Sequence, residues 1–324
     1  MTLGTRGRSM PQEETDLLAQ IAEDYYLGGS SQAEIGRRHN ISRSYVSRLL
    51  NRAREAGIVK ISIQRPIRTQ PDLEQELAAR FGLAACVVVV GAAGAPGESL
   101  RLAGLAAAGH LVEAVKPTDT LAVSWGTGIK ALSEGLRASR ARADHVAQIF
   151  GGLRLATHDI SGADLVGRIA RQLDATFDYL HAPWIVESAA LAEALMAQPD
   201  VAGVLARAAG AQMAFVGVGA TGQGSSGLLF NPTYLRLEEL AELRRSNAVG
   251  DIAGRCFDAR GRPCPLSFDD RIIGLDLAAI REVPIVVGIA AGAHKGAALR
   301  AALEGGLINV LVTDRPAALT IMGS

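Results

Sequence analysis

The sequence predicts an α/β protein in two parts, an N-terminal winged helix-turn-helix and a C-terminal Rossmann-like α/β domain. Two observations support this fold class. Residues 30–63 read as two short helices, a tight turn and a β-type run. After residue 72, short apolar runs alternate with Ala/Leu-rich helical stretches, which is typical of a parallel sheet with helices on both faces. The length of 324 residues also favours two domains.

The first short helix is predicted from a capping box. The Ser31 hydroxyl can accept a hydrogen bond from the Glu34 amide, while the Glu34 carboxylate reaches back to a free backbone N–H. Asn40 suits the left-handed turn that follows a helix, and Ser42 can cap the second helix. That helix carries one apolar stripe at helical spacing, formed by Val46, Leu49, Leu50 and Ala53.

The other face of the second helix is polar and basic, and we expect it to contact DNA. Nine basic and two acidic residues lie between positions 30 and 68, although the whole chain holds 33 of each charge. A local basic face is the electrostatic footprint of a phosphate-binding module. A solvated basic helix pair with no nucleic-acid role is the alternative. The predicted DNA-contacting residues are Ser42, Arg43, Ser44, Tyr45, Ser47, Arg48 and Arg52.

A wing and a domain boundary are expected after this helix. Gly57 should end the helix, and the β-type run of Ile58, Val59, Ile61 and Ile63 fits a wing. Two prolines interrupt both periodicities within residues 65–72. The expected division is a DNA-binding domain over residues 1–64, with residues 1–12 as a mobile tail, a linker over 65–72 and a second domain over 73–324.

Composition and motif content indicate the cellular compartment and exclude some kinds of site. Cys86, Cys256 and Cys264 form no CxxC pair and no metal-ligand spacing, and an odd number argues against a secreted disulfide framework. No apolar run approaches the ~20 residues of a membrane span, so we expect a cytoplasmic protein with no membrane partner. The six histidines are scattered and the common catalytic motifs are absent, so neither a metal nor a cofactor is expected.

The apolar runs after residue 72 are predicted to be buried strands. The strands are expected at residues 86–90, 121–123, 146–150, 215–218, 285–289 and 308–312, and helices between them at 99–115, 129–138, 161–174, 186–209 and 295–304. A helix through Leu73, Leu77, Ala78 and Phe81 should precede the first strand. In open sheets of this kind ligands bind beyond the carboxyl ends of the strands, so the loops there are the candidate sites.

Two of these loops have features of an anion site. Gly126, Thr127 and Gly128 lead from a strand into a helix, and glycines let the backbone N–H groups of a helix start approach an anion. An ordinary tight connection is the alternative. Gly292 precedes a helix whose first turn carries Lys295, where a cation opposes the helix dipole. A bound anion would resolve that conflict, and a solvated lysine is the alternative.

An ordered set of motifs resembles the SorC/DeoR-type sugar-binding transcriptional regulators of bacteria, over residues 22–322. The matching segments are DYYLGGSSQAEIGRRHNISRSYVSRLLNRAREAGIVKISI, SWGTG, FVGVGA, AVGDIAGRCFDARG, VVGIAAGAHKGAALRAAL and INVLVTDRPAA. The resemblance implies that the C-terminal domain is similar to sugar-phosphate isomerases and deaminases and binds a phosphorylated sugar or polyol. It also implies operator DNA as a partner and a homodimer or homotetramer assembled through the C-terminal domain.

The resemblance also implies which residues meet the effector. The phosphate would contact Gly126, Thr127, Gly128 and Lys295, and the sugar would lie against Gly152, Asp251, Asp258 and Gly292. Two positions depart from the family pattern. The phosphate turn often ends in threonine where this chain has Gly128, and Ala291 stands where a paired glycine is usual. Backbone N–H contacts survive both changes, so phosphate binding is still expected.

These features predict a sequence-specific DNA-binding transcriptional regulator whose operator affinity is controlled by a phosphorylated sugar or polyol. The alternative is a sugar-phosphate isomerase or deaminase-like enzyme that carries a DNA-binding arm, because a shared fold does not fix function. Asp258, Asp269 and Asp270 are available as carboxylates, but no acid and base pair can be assigned from the sequence. Turnover of a sugar phosphate would favour the enzyme, and ligand-dependent operator affinity would favour the regulator.

Overall fold

The computed structural model describes residues 12–59, 66–91, 97–136, 140–153, 162–221, 228–230 and 233–323. The chain forms two compact units that divide between residues 66 and 67. In the described part of the first unit the helices are α1 (Gln12–Tyr26), α2 (Gln32–Arg38) and α3 (Arg43–Glu55). The second unit combines parallel strands with covering helices, so the predicted α/β class is confirmed.

The three helices of the first unit pack around one apolar core. Leu18 and Ile21 of α1 meet Ile35 of α2 and the apolar stripe of α3, and all of these side chains are buried. The predicted capping box is formed. The Glu34 N–H donates to Ser31 Oγ at 3.3 Å, and the Ser31 N–H donates to Glu34 Oε2 at 2.7 Å. Two of the free N–H groups at the start of α2 are thereby satisfied.

The start of the chain departs from the sequence prediction at one residue. Gln12 was expected in a mobile tail, yet it is the first residue of α1. Its side-chain amide donates to Asp16 Oδ1 at 3.0 Å, one helical turn later. Pairs four residues apart face each other on a helix, so Gln12 joins the first turn of α1. Residues 1–11 lie outside the described residues.

Most of the predicted wing lies outside the described residues. Gly57 follows α3 with a φ of 72°, as expected of a residue that ends a helix. Ile58 and Val59 are partly buried against the three-helix core, and the Val59 N–H donates to Ala53 O at 3.1 Å. The positions of Ile61 and Ile63 are not described, so the wing stays a prediction.

The predicted linker over residues 65–72 is too long. The Val90 N–H donates to Arg68 O at 2.8 Å and the Gln70 N–H donates to Val88 O at 3.0 Å, so this segment pairs with the edge of the sheet. Helix α4 (Pro71–Phe81) then starts at Pro71. The missing N–H of proline costs nothing at the first position of a helix, so Pro71 begins α4 instead of interrupting regular structure.

The second unit is built on a seven-stranded parallel sheet. The strands of this unit are β1 (Ala85–Val89), β2 (Thr120–Val123), β3 (His145–Gln148), β4 (Thr176–Asp178), β5 (Met213–Gly217), β6 (Gly219–Ala220), β7 (Gly250–Ile252), β8 (Arg255–Phe257), β9 (Ile285–Ile289) and β10 (Val310–Asp314). The large sheet has the order β1-β10-β9-β5-β2-β3-β4, with every neighbouring pair parallel. β6, β7 and β8 form a small antiparallel sheet. Each of the six predicted apolar runs overlaps one strand of the large sheet.

Helices cover both faces of the large sheet. Besides α4, the helices described in the second unit are α5 (Glu98–Ala114), α6 (Thr127–Gly135), α7 (Gly162–Gln172), α8 (Ala189–Met196), α9 (Pro199–Ala209), α10 (Leu237–Arg245), α11 (Leu277–Arg281), α12 (Gly296–Glu304) and α13 (Arg315–Met322). Leu121 and Val123 pack in the core with α5, α6 and α7, whereas Ala122 packs in the core with α4, α9, α12 and α13. The predicted helix over 186–209 is two helices, because Pro199 starts a new one.

The strand order of the large sheet changes direction at β2. From β2 the chain adds β3 and β4 outward on one side, and then returns to place β5 on the other side of β2. A ligand crevice is expected beyond the carboxyl ends of the strands at such a switch point. The loop after β2 opens there, next to the loops after β5 and β9. Of the glycine-rich loop after β5, residues 222–227 lie outside the described part of the chain.

Candidate DNA-binding surface and effector site

The first turn of α3 presents most of the predicted DNA-contacting side chains. Ser42 caps the helix, since its Oγ accepts a hydrogen bond from the Tyr45 N–H at 3.2 Å. Arg43, Ser44, Tyr45 and Arg48 are exposed. The guanidinium carbon of Arg48 lies 5.3 Å from the centroid of the Tyr45 ring, a cation–π arrangement that orders both side chains. Among the described residues, no acidic side chain pairs with Arg43.

Two of the predicted DNA-contacting residues, Ser47 and Arg52, are less free to contact DNA than those of the first turn. The Arg52 guanidinium forms an ion pair with Glu14 of α1. This pair joins α3 to α1, but the Arg52 side chain is still 44% exposed, so its contact with DNA stays a prediction. Ser47 is half-buried, because it lies next to the apolar stripe of α3. Sequence position alone does not distinguish a basic residue that faces DNA from one that faces a carboxylate of its own unit.

A carboxylate joins α1 to the end of α2. Asp24 accepts hydrogen bonds from Arg38 at 2.7 Å and from the His39 ring at 3.1 Å. The hydrogen bond with His39, supported by Arg38, holds the pKa of the Asp24 carboxyl below its usual value. Asn40 follows with a φ of 54°, the left-handed conformation predicted for the turn. Asp24 therefore fixes the helix that precedes the recognition helix.

The predicted phosphate turn lies at the start of α6, next to the end of β9. Gly126 precedes α6 with φ 133° and ψ −180°, a conformation that side chains rarely adopt. A Cβ atom on Gly128 would lie 2.8 Å from the Ile289 carbonyl oxygen, so the turn packs directly against the last residue of β9. The first N–H groups of a helix have no partner within the helix. At Thr127 and Gly128 they are therefore available to an anion in the crevice.

Lys295 lies on the neighbouring loop, where a buried carboxylate fixes the backbone. Gly292 has a φ of 101°, and its N–H donates to Asp314 Oδ1 at 2.8 Å. Asp314 is 1% exposed and also accepts from the Ala317 N–H, so it caps α13 at the same time. Lys295 ends a short 3₁₀ turn and immediately precedes α12. The sequence reasoning missed Asp314, although Asp followed two residues later by Pro is a helix-start signal.

Lys295 and Asp251 act on each other across the site. Burial lowers the pKa of Lys295, and the Asp251 carboxylate opposes that shift. Burial likewise raises the pKa of Asp251, while a hydrogen bond from the Gly254 N–H at 3.2 Å and the charge of Lys295 oppose it. Lys295 forms no ion pair of 4 Å or less with a described residue. The two charges are thus partly withdrawn from water without neutralising each other directly.

Gly151 and Gly152 belong to the loop after β3, which contacts Trp125 of the loop after β2. The Gly152 N–H donates to Ala182 O at 2.9 Å, and its carbonyl accepts from the Trp184 N–H at 2.8 Å. The Trp125 indole, next to the phosphate turn, donates to Gly151 O at 3.3 Å. The backbone polar groups of Gly152 are therefore used within the protein. The prediction that Gly152 lies near the sugar therefore depends on its place in the loop after β3, because it has no free backbone N–H to donate.

Asp258 has a different role from the one expected. Its carboxylate accepts from the backbone N–H groups of Arg260 and Arg262 at 2.9 and 3.0 Å, and forms a salt bridge with the Arg262 side chain at 2.7 Å. The Arg262 bonds lower the pKa of Asp258. Asp258 thus closes its own turn after β8. We correct its assignment to the effector, because the carboxylate is fully engaged there.

The comparisons with known proteins agree with this architecture. Residues 65–323 match the family model of a sugar-binding domain, and residues 19–68 match that of a helix-turn-helix domain. This chain belongs to the SorC/DeoR-type family of sugar-binding transcriptional regulators. The predicted resemblance is confirmed over nearly the whole chain.

Relatives and solved structures extend the match to full length. The chain is 33% identical over 315 residues to the transcriptional regulator LsrR of Klebsiella pneumoniae, covering 95% of this chain and 93% of that protein. It is similar to the full-length sorbitol operon regulator SorC of Klebsiella pneumoniae, with a TM-score of 0.72, 27% identity and coverage of 96% and 98%. A DeoR family regulator of Listeria monocytogenes matches with a TM-score of 0.69, 28% identity and coverage of 78% and 98%.

These matches decide between the two functions left open by the sequence. The relatives of near-equal length are named transcriptional regulators, so the chain is a DNA-binding regulator and not an enzyme.

Among the described residues, no group of three or more His, Cys, Asp or Glu could hold a metal ion. In the same residues no single helix is long and apolar enough to cross a membrane, although the pair α8 and α9, bent by 80°, passes on length and composition.

Proposed function

We propose that this regulator binds operator DNA through the first turn of α3 and that a phosphorylated sugar or polyol controls its affinity for DNA. The phosphate would dock on the N–H groups of Gly126, Thr127 and Gly128, with Lys295 as the cationic partner. Gly292 would shape the loop that carries Lys295. This proposal goes beyond the family assignment, which gives a sugar-binding domain without specifying phosphate.

The observation that carries the proposal is the position of Lys295. A half-buried ammonium group lies at the start of α12, where the helix dipole disfavours a cation. The start of α6 packs against the end of β9, from which the Lys295 loop leaves. One anion bound between them would meet free N–H groups, two helix starts and a cation. Such an arrangement is unfavourable when empty and favourable when an anion is present.

Asp251 supplies the complementary chemistry for the rest of the effector. A carboxylate accepts hydrogen bonds from hydroxyl groups but repels a phosphate. Its position opposite Lys295 therefore favours a ligand with an anion at one end and hydroxyl groups at the other. Sugars and polyols that carry one phosphate have this pattern.

Control of DNA binding requires that the effector prefer one state of the regulator. An effector shifts operator affinity only as far as it binds the two states unequally. We propose that these states belong to a homodimer or homotetramer formed through the second unit, because one helix-turn-helix reads only a half-site. We also propose that the protein is cytoplasmic, as expected from the sequence.

A ligand screen tests this function directly. Full-length protein is heated with hexose phosphates, pentose phosphates and hexitol phosphates, each beside its dephosphorylated form. A ligand at 100 times its Kd should stabilise the protein by about 2.7 kcal/mol. Lys295→Ala should lose most of the stabilisation, whereas Lys116→Ala, which removes the same charge from an exposed position before β2, should keep it. Equal stabilisation by a free sugar and its phosphate would contradict the proposal.

A further inference from the structure

The turn of the β7–β8 hairpin has a strained backbone close to the candidate sugar site. Ala253 and Gly254 both have positive φ, 55° and 83°. A two-residue hairpin turn takes positive φ at both central positions, a conformation that glycine adopts readily and alanine rarely. A group outside the hairpin also contacts this turn.

That group is Trp184. Its indole Nε1–H donates to the Ala253 carbonyl at 3.3 Å. Its ring covers Gly254 so closely that a Cβ atom there would lie 2.4 Å from Cζ2. Trp184 is 1% exposed. On the other side of the turn, the Gly254 N–H donates to Asp251 Oδ2 at 3.2 Å. The turn thus connects a buried indole to the Asp251 carboxylate.

The backbone of Trp184 is itself fixed. Its N–H donates to Gly152 O at 2.8 Å, and its carbonyl accepts from the Ile273 N–H at 2.8 Å. Pro183 pairs with Gly152 in the same bridge. The indole is therefore held in register with the loop after β3. Because its backbone is fixed in this way, the indole can hold the β7–β8 turn in one position.

The free oxygen of Asp251 is confined as well. A Cβ atom on Gly219 of the adjacent strand would lie 1.7 Å from Oδ1, so the carboxylate fills the space above this glycine. No described donor bonds to Oδ1, which leaves that oxygen for a ligand. Because hydrogen bonds weaken steeply with distance and angle, a small shift of the turn would change how Oδ1 meets a hydroxyl group.

We propose that Trp184 is a positioning residue that sets the orientation of the Asp251 carboxylate and thereby selects the sugar or polyol part of the effector. The inference rests on the proposed function, since it takes Asp251 to contact the hydroxyl groups of that ligand. It assigns Trp184 no contact with the phosphate. The two halves of the ligand therefore respond differently to its replacement.

The test uses Trp184→Phe in the full-length protein, which keeps an aromatic ring and removes the indole N–H. Calorimetry gives the Kd for inorganic phosphate and for the phosphorylated sugar or polyol that stabilises the wild type most. Loss of one oriented hydrogen bond should weaken the latter about three- to tenfold. The Kd for inorganic phosphate and the operator affinity should not change. Gly254→Ala, which pushes the turn and the ring apart from the other side, should reproduce this selective loss.

A double-mutant cycle separates positioning from general support of the fold. In an Asp251→Ala background, Trp184→Phe should cause no further loss of effector affinity. Ala253→Gly, which keeps the carbonyl and suits the positive φ, is the matched control and should bind within about twofold of the wild type. Additive losses, or an equal loss for inorganic phosphate, would overturn the inference. A wild type that binds no phosphorylated sugar or polyol would instead refute the proposed function on which it rests.

Discussion

Replacing Lys295 by alanine should remove most of the effector affinity while leaving DNA binding intact. The ammonium group lies in the second unit, whereas the predicted DNA contacts lie in α3 of the first. A hydrogen bond to a charged group contributes about 1.5–3 kcal/mol, which corresponds to about 10- to 150-fold in Kd. Because burial already lowers the pKa of Lys295, part of that gain offsets the cost of withdrawing the charge from water. We therefore expect a loss of about 30-fold, or ~2 kcal/mol.

Removal of the Lys295 charge should stabilise the protein when no ligand is bound. The pKa of Lys295 is lower in the folded protein than in the unfolded chain, so at pH values between the two the unfolded chain binds more protons. Stability of the unliganded wild type should therefore rise as the pH rises through this interval. Lys295→Met removes the half-buried charge, so its melting temperature at neutral pH should exceed that of the wild type.

Ligand binding should show the opposite pH dependence. A bound phosphate favours the protonated form of Lys295, so binding is coupled to proton uptake as the pH approaches the lowered pKa. Effector affinity should fall as the pH rises through that pKa, and the decline should be absent in Lys295→Met. Calorimetry in buffers of different ionisation enthalpy measures the proton uptake. An affinity of Lys295→Ala equal to that of the wild type, with no change in proton uptake, would refute the reasoning.

Three further predictions concern the DNA-binding surface and the phosphate turn. Arg43→Ala should cost about 1–3 kcal/mol of operator affinity and relax specificity at one base pair, whereas Arg54→Ala should weaken all sequences alike; equal losses on operator and random DNA would exclude base readout by Arg43. Asp24→Asn should reduce amide-exchange protection of α2, and the difference from the wild type should vanish as the pH falls through the lowered pKa of Asp24, because the stabilisation exists only while the carboxyl is ionised. If the amide-exchange protection of α2 is unchanged at neutral pH, the hydrogen bond between Asp24 and His39 does not stabilise α2. Gly128→Ala should weaken effector binding, because a Cβ atom would lie 2.8 Å from a carbonyl oxygen of β9; unchanged calorimetric affinity would show that this packing does not shape the site.

The parts predicted well from the sequence are those with strong local signals. The capping box at Ser31 and the stripe of α3 depend on residues close in the chain, and both are formed. The buried strands depend on continuous apolar runs, which are typical of parallel sheets. β4 has only three residues, two of them exposed, so it carries no such run. β6, β7 and β8 have only two or three residues each, and β6 and β7 contain glycines that obscure a strand pattern.

The parts that escaped prediction depend on contacts between distant residues. Asp258 carries a carboxylate suited to a ligand, but Arg262 and two backbone N–H groups use it within its own turn. The ion pair of Arg52 with Glu14 of α1 joins residues that are 38 positions apart in the sequence. Asp314 fixes the Gly292 backbone across a gap of 22 residues. Tertiary geometry decides each of these roles, and residue type alone does not.

The central claim is that one site binds a phosphorylated sugar or polyol and thereby changes operator affinity. The most direct measurement is operator binding by the full-length protein, titrated with the phosphorylated ligand and with its dephosphorylated form, for the wild type and Lys295→Ala. The account predicts that only the phosphorylated form shifts the operator Kd of the wild type. It also predicts that Lys295→Ala starts from the same operator Kd but needs about 30-fold more ligand for the same shift. An equal response to the dephosphorylated ligand, or an undiminished response in Lys295→Ala, would contradict it.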